Sequence, residues 1–225
     1  MIAIVDYGIG NLGSVTKAFR HVGAETVLTG EPALLRSADA LVLPGDGAFG
    51  ATMDEVRSRG LVPLLLEAAS RGTPLLGICI GMQILFEESE EHGRHEGLGL
   101  LPGRVRRFET RLPVPHMGWN GLRRAQEHAL LDGICDGAHV YFVHSYYCDA
   151  GADVVLATSD YGIDFPAIVG RGSVLAVQFH PEKSQAVGLR MIENWVRRCV
   201  GREARPSPRG SDAGDQAARS APGRP

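Results

Sequence analysis

The stretch of residues 73–83, TPLLGICIGMQ, places the strongest constraint on how this chain can fold. A short apolar run leads into the letters GICIG around Cys79, and an amphipathic segment follows, which predicts a strand, a sharp turn and a helix. A G-x-nucleophile-x-G turn raises its central side chain out of a sheet, and its glycines avoid collisions that a Cβ would cause. Free N–H groups at the helix start would favour the Cys79 thiolate, and the Ile80 N–H can serve an oxyanion. The alternative is an inert buried cysteine.

A second reactive pair follows the last predicted strand, residues 174–179, in the letters His180-Pro181-Glu182. Side chains two apart in an extended segment lie on one side, so we expect His180 and Glu182 to face the same site. An imidazole can take the proton of a thiol and return it to a leaving amine, while a carboxylate orients the ring. Considered without the rest of the chain, the pair would be interpreted as a surface ion pair at the end of a strand. The Cys79 turn in the same α/β pattern favours the catalytic interpretation.

Short apolar runs alternate with amphipathic segments over residues 1–86, which predicts an α/β fold, and the second half changes to β-type runs from Arg104 onward. One helix is expected over residues 53–71, with a break at Gly60 and Pro63. A last helix is expected from near Ser184. We expect one domain over residues 1–201 and a disordered tail over residues 202–225, which is rich in Pro, Gly, Ser, Ala and Arg.

Charge and cysteine usage exclude several classes of function. The formal charge of −3 and the pI near 6.2 give no sign of nucleic-acid binding, so no nucleic-acid partner is expected, although net charge alone does not exclude a basic groove. The opening residues MIAIVDYG resemble neither a signal peptide nor a membrane span. The scattered cysteines form no C-x-x-C pair, which argues against a zinc site or a disulfide framework and suits a reducing cytoplasm. No metal and no cofactor are expected. The four cysteines are Cys79, Cys135, Cys148 and Cys199.

The N-terminal loop carries a misleading motif. Gly8, Gly10 and Gly13 match the dinucleotide fingerprint G-x-G-x-x-G between a strand and a helix that Ser14 could cap. The acid that should bind a ribose is displaced, with Glu31 as the candidate. A nonenzymatic dinucleotide-binding module therefore remains an alternative, supported by a weak signal.

Two further loops can contribute to a site. The letters PGDGAFG at residues 44–50 follow a predicted strand, and their glycines can turn backbone amides toward one point, as an oxyanion requires. An ordinary strand-to-helix turn is the alternative there. Residues 116–120, HMGWN, combine polar and aromatic groups around a glycine, which predicts an ordered binding loop or a simple turn.

Taken together, these motifs resemble a known family. The letters GICIGMQ at residues 77–83, followed about a hundred positions later by FHPE at residues 179–182, resemble the class I (triad-type) glutamine amidotransferases. Within that class, DYG with GNL near the N-terminus, HMGWN, YFVHSY and HPEKS resemble the glutaminase subunits of imidazole glycerol phosphate synthase. The resemblance covers residues 1–201. It implies three layers, with an open, mixed, mostly parallel sheet between helices and a β-rich second half.

The resemblance also implies residue roles. Cys79 would attack the carboxamide of L-glutamine, His180 would act as base and then acid, and Glu182 would orient His180. A further set would stabilise the oxyanion or hold glutamine. Its members are the backbone N–H groups of Ile80 and of Gly45, Asp46 or Gly47, and the side chains of Gln83, Glu91 and Ser145. Asp46 departs from the small apolar residue that the family more often has, so its side chain is expected to point away from the oxyanion.

A partner is implied as well, because the chain has no evident domain that would use ammonia. In the resembled family the partner is a (β/α)8 cyclase that receives ammonia through a channel, in a heterodimer that makes a histidine precursor. Asn11, Trp119 and Lys183 are the candidate contact residues. Another class I glutaminase, such as the ammonia-supplying subunit for pyridoxal phosphate synthesis, remains an alternative.

Overall fold

A computed structural model describes residues 1–200 of the chain. The first half alternates strands and helices: β1 Ile2–Val5, α1 Leu12–His21, β2 Thr26–Thr29, α2 Pro32–Ser37, β3 Ala40–Leu43, α3 Phe49–Ser58, α4 Leu61–Ser70, β4 Leu75–Ile78 and α5 Ile80–Gln83. The second half is mostly strands: β5 Glu88–Ser89, β6 His95–Glu96, β7 Arg104–Arg107, β8 His116–Gly121, β9 Arg123–Arg124, β10 His139–His144, β11 Tyr146–Asp149, β12 Val155–Asp160, β13 Asp164–Arg171 and β14 Val174–Val177, before α6 Gln185–Val200.

The main sheet has eight strands in the order β2-β1-β3-β4-β14-β13-β12-β9. The first five are mutually parallel, and β13, β12 and β9 continue the sheet in antiparallel pairing. Two smaller sheets, β10-β8 and β11-β7-β5-β6, complete the second half. The predicted mixed, mostly parallel sheet with a β-rich second half is confirmed.

Helices cover both faces of this sheet, which confirms the three-layer prediction. Side chains of β1 alternate between two cores, with Ile2 and Ile4 in one and Ala3 and Val5 in the other, as the period of a strand requires. Helices α1 and α6 pack on the first face, where Phe19 meets the edge of Trp195 at a ring-centroid distance of 5.8 Å. Helices α2, α3 and α4 pack on the second face.

Several local predictions were wrong. Residues 116–120 belong to strand β8, because the segment pairs with β10 from Gly121–His139 to His116–His144. The side chain of Asn11, and not that of Ser14, caps α1, since Asn11 Oδ1 accepts from Ser14 N at 3.3 Å. Pro63 does not break a helix: it lies in the first turn of α4, where its missing N–H costs little.

One further prediction is confirmed, and another concerns residues outside the part of the chain that the structure describes. The break at Gly60 is confirmed, because Gly60 has φ +65° and separates α3 from α4. The disordered tail predicted for residues 202–225 lies outside the described residues. Within residues 1–200, no helix is both long and apolar enough to cross a membrane.

Glycines allow the loops at the carboxyl edge of the parallel strands to pack closely. A Cβ on Gly81 would lie 2.0 Å from Leu43 O, and a Cβ on Gly77 would lie 2.5 Å from Gly81 O. Both contacts are with backbone, so neither can be relieved by a side-chain rotation. By contrast, a Cβ on Gly13 in α1 meets no heavy atom within 4 Å.

We therefore predict that Gly81→Ala lowers the free energy of unfolding by about 2 kcal/mol or more, because the added methyl group would overpack rigid backbone. Gly13→Ala is the matched control, and it should leave the stability unchanged or raise it by up to about 1 kcal/mol through helix propensity. Urea unfolding followed by circular dichroism measures both. Equal stability of the two variants would contradict the close packing of the turn.

Candidate active site

Cys79 lies in a strained turn between β4 and α5. Its φ of +55° and ψ of −112° are unusual for a residue with a side chain, and its N–H donates to Val177 O at 2.8 Å. The following helix is a single turn, shorter than predicted. Cys79 therefore lies next to a few backbone amides and not at the positive end of a long helix dipole. Amides at the first helical positions have no intrahelical acceptor, which leaves the Ile80 N–H available.

The loop after β3 packs directly on this turn. A Cβ on Gly45 would lie 1.9 Å from Ile80 Cγ2 and 2.7 Å from Gly81 N. The N-terminal glycine loop supports it from the other side, because a Cβ on Gly10 would lie 3.7 Å from both Gly45 Cα and Asp46 N. Two of the three glycines in the fingerprint motif are explained by the backbone conformation. Gly8 and Gly10 adopt φ values of +84° and +117°, which residues with a side chain disfavour.

A cavity of about 290 Å³ opens beside Cys79. Three loops supply its walls, and they bring together most of the predicted site residues. The lining residues are Asp46, Gly47, Cys79, Ile80, Gln83, Glu91, Pro115, Val143, His144, Ser145 and Tyr146. The three candidate glutamine-binding residues thus share one cavity with the candidate nucleophile.

Two of these lining side chains are held by hydrogen bonds. Glu91 Oε2 accepts from Phe49 N at 2.6 Å, which fixes the carboxylate against the start of α3. Gln83 Nε2 donates to Tyr146 O and to Gln178 Oε1, each at 3.1 Å. Glu91 is therefore an ordered part of the cavity wall.

His180 and Glu182 are buried together beside Cys79. His180 Nδ1 lies 2.8 Å from Glu182 Oε1, and the two side chains are 2% and 1% exposed. The expected extended geometry is wrong, because β14 ends at Val177 and Pro181–Lys183 form a 3-10 turn. The turn still brings the two side chains into contact.

The electrostatic environment favours a charged imidazole. Burial by itself lowers the pKa of His180, but the contacts with Cys79 and Glu182 outweigh it and raise the pKa to about 10. Because His180 Nδ1 is held by Glu182, Nε2 is the ring nitrogen left to exchange a proton with Cys79. A buried cysteine, an imidazole and a carboxylate in this arrangement can perform nucleophilic acyl transfer.

Two buried residues near Cys79 were missed. Gln178 Nε2 lies 3.9 Å from Cys79 Sγ, and its position two residues before His180 was the available signal. Tyr7 is fully buried with no hydrogen-bond partner for its hydroxyl within residues 1–200, and burial together with Cys79 and Asp46 raises its pKa. Both lie where they can influence the charge around the nucleophile.

The candidate contact residues lie apart from the cavity lining. Asn11 caps α1 and is exposed, Trp119 on β8 is 47% exposed, and Lys183 ends the 3-10 turn that carries Glu182. Tyr141 connects two of these regions, because its ring lies 6.0 Å from that of Trp119 and its carbonyl accepts from His180 N at 2.9 Å.

Residues 3–199 match the family description "Glutamine amidotransferase class-I". The chain therefore belongs to the class-I glutamine amidotransferases, which agrees with the turn, the cavity and the His180–Glu182 pair.

Within this family the chain is similar to proteins named imidazole glycerol phosphate synthase subunit HisH. It is 53% identical over 209 residues to that of Geobacillus kaustophilus (strain HTA426), with 90% of this chain and 99% of the relative covered. It is 52% identical over 204 residues to that of Salinibacter ruber, covering 87% of this chain and 94% of the relative.

Solved structures share the fold at lower identity. A crystal structure described as a glutamine amidotransferase superposes with a TM-score of 0.71 at 24% identity, covering 89% of this chain and 98% of that one. The structure of PurLQS from Thermotoga maritima superposes with a TM-score of 0.68 at 18% identity, covering 90% and 98%. These likenesses support the α/β architecture.

Asp46 yields a prediction about the oxyanion loop. Because a carboxylate aimed at an oxyanion would repel it, we expect only the backbone of Asp46 to participate. Asp46→Ala should then keep glutaminase turnover, measured with the partner subunit, within about threefold of wild type, whereas loss of an oxyanion donor typically costs about 10²–10³-fold. A loss of that larger size would show that the carboxylate itself is needed.

Proposed function

We propose that this protein is the glutaminase subunit of an imidazole glycerol phosphate synthase in histidine biosynthesis. The observation that carries the proposal is the strained Cys79 turn beside the buried His180–Glu182 pair and a cavity of about 290 Å³. Identities of about half to HisH subunits across most of the chain support the particular assignment.

The proposed reaction is hydrolysis of L-glutamine through a thioester. Cys79 Sγ attacks the carboxamide carbon, and His180 takes the thiol proton and then gives it to the leaving amine, so that ammonia departs. Water attacks the thioester while His180 accepts its proton, the C–S bond breaks to release glutamate, and His180 returns the proton to Cys79 Sγ. Glu182 keeps the His180 ring oriented and stabilises its charged form, as the 2.8 Å contact between Nδ1 and Oε1 supports.

Backbone amides are proposed to stabilise the tetrahedral intermediate. The Ile80 N–H starts α5, and one amide from the Gly45–Gly47 loop would complete the pair. The contact of Gly45 with Ile80 and Gly81 supports this role, since the two sources of amides touch. Small changes in that loop would therefore control the rate.

The proposed glutamine site uses the walls of the same cavity. Glu91 offers a carboxylate to the substrate ammonium, Ser145 offers a hydroxyl and backbone groups, and Gln83 closes the inner wall. The hydrogen bonds that hold Glu91 and Gln83 support this proposal, because preorganised groups lose less entropy on binding.

A second subunit is proposed to receive the ammonia. The relatives are named as subunits of a synthase, and we propose a (β/α)8 cyclase as the partner in a heterodimer. Asn11, Trp119 and Lys183 would contact it. Exposure of the large Trp119 ring supports a contact surface, since exposed aromatic residues are enriched at interfaces. A cytoplasmic location is proposed as well, because a reducing compartment keeps the Cys79 thiol free of disulfides.

We predict that glutamate release from glutamine is slow for the pure protein and rises strongly with the cyclase and its ribotide ligand. Cys79→Ala should abolish the stimulated rate because it removes the nucleophile, whereas Cys135→Ala, at an exposed cysteine, should retain it. A coupled glutamate dehydrogenase assay measures all three proteins. High activity without a partner would indicate an independent hydrolase, and activity in Cys79→Ala would exclude the thioester route.

We further predict that Trp119→Ala or Lys183→Ala weakens binding of the cyclase by about tenfold or more, because each removes a large or charged side chain from the proposed contact. Lys17→Ala, at an exposed lysine on α1, is the matched control and should bind like wild type. Titration calorimetry measures the dissociation constants. Unchanged affinity in both test variants would move the contact surface elsewhere.

A further inference from the structure

Two buried histidines beside the cavity have no role in the reaction proposed above. His116 on β8 and His144 at the end of β10 are 3% and 6% exposed, and His116 Nδ1 lies 3.1 Å from His144 Nε2. His144 lines the cavity, whereas His116 lies behind it. Their rings pack among aromatic side chains, with Tyr161 stacked on His116 at a centroid distance of 4.0 Å.

The neighbouring groups determine which nitrogen carries each proton. Tyr146 O can only accept a hydrogen bond, and it lies 2.7 Å from His144 Nδ1, so that nitrogen must carry the proton. In a neutral ring His144 Nε2 is then an acceptor, and His116 Nδ1 must donate to it. This leaves His116 Nε2 to accept from Asn120 Nδ2 at 3.2 Å. Both rings therefore adopt the Nδ1–H tautomer, and all four ring nitrogens are satisfied.

Both rings stay neutral at pH 7. Burial lowers the pKa of His116 to about 4. Burial also lowers the pKa of His144 to about 3, with the nearby His116 and His180 adding to the effect and the hydrogen bond to Tyr146 O opposing it. The direction of the hydrogen-bond chain is thus stable over the physiological range.

The chain of hydrogen bonds ends on the wall of the proposed glutamine site. Tyr146 O accepts from His144 Nδ1 and also from Gln83 Nε2, so one carbonyl ties β11 to the pair and to α5. Ser145, the proposed glutamine ligand, lies between His144 and Tyr146 in the sequence. Its carbonyl oxygen accepts a hydrogen bond from Phe108 N at 3.1 Å. At the other end, Asn120 Nδ2 also donates to Asp160 O at 2.7 Å, which anchors the chain to β12.

We infer that His116 and His144 are positioning residues that hold the Ser145–Tyr146 wall against Gln83 through a one-directional chain of hydrogen bonds from Asn120. The inference rests on the proposed glutaminase function for its kinetic consequence, but the tautomers themselves do not depend on it. Loss of the chain shifts the glutamine-binding wall while Cys79, His180 and Glu182 keep their own contacts. The effect should therefore fall on KM more than on kcat.

The first arm of the test is spectroscopic and uses the full-length wild-type protein. Histidine labelled with ¹⁵N should show two neutral Nδ1–H rings at pH 7, assigned by their disappearance in His116→Phe and His144→Asn. An Nε2–H tautomer or a protonated ring at either position would overturn the inference. This arm needs no activity, so it decides the hydrogen-bond chain even if glutamine is not the substrate.

The second arm is kinetic and uses the complex with the cyclase subunit. His116→Phe keeps a stacked ring but leaves His144 Nε2 without its donor, and we expect KM for glutamine to rise about tenfold with kcat within about threefold. His116→Asn places an amide donor near the position of Nδ1 and should recover most of the affinity. Tyr161→Phe, which keeps the ring and removes only a hydroxyl bonded to Pro113 O, is the packing control and should match wild type.

Each outcome has a distinct meaning. Unchanged KM in an active His116→Phe protein, or no recovery in His116→Asn, would assign the pair to packing alone and overturn the inference. Should His116→Phe fail to fold, His116→Asn and the wild-type spectrum still decide. Absence of glutamate release from the wild-type complex would instead refute the proposed function and leave the spectroscopic result in force.

Discussion

The close packing of backbone at the carboxyl edge of the parallel strands is the constraint on which the site depends. Gly81 lies against Leu43 O, Gly77 against Gly81 O, and Gly45 against Ile80. Because these glycines have no Cβ, the turn after β4 and the loop after β3 can pack in direct contact. This contact supports the strained conformation of Cys79 and places the loop after β3 against the start of α5.

The second half of the chain supplies the buried His180–Glu182 pair and one wall of the cavity beside Cys79. Strand β14 runs parallel to β4 with Val177 opposite Ile78, so the residues after Val177 arrive next to Cys79. Ser184 Oγ donates to His180 O at 2.6 Å and accepts from Tyr141 N at 3.0 Å, which holds the His180 turn against β10. Trp119, which is 47% exposed, lies against Tyr141 in the same region, and the half-buried Lys183 ends the turn that follows His180.

The local patterns predicted much of the fold and the central chemistry. Apolar runs and glycine-marked turns predicted β1, β3, β4 and the break at Gly60 because each depends on residues adjacent in sequence. The strand at residues 116–121 was missed because its conformation comes from pairing with β10, a strand about twenty residues further on. The 3-10 turn after His180 was missed for a related reason, since Ser184 and Tyr141 hold it through contacts that no local pattern reports.

The sequence by itself determined the α/β class, the Cys79 turn and the candidate triad, because strong short-range rules govern glycine, proline and strand periodicity. The tertiary structure alone decided that Gln83, Glu91 and Ser145 share one cavity, that Gln178 and Tyr7 lie beside the nucleophile, and that His116 and His144 form a directed pair. These arrangements depend on which strands align at one sheet edge. Hydrogen-bond direction and burial exist only once those distant segments have been brought into contact.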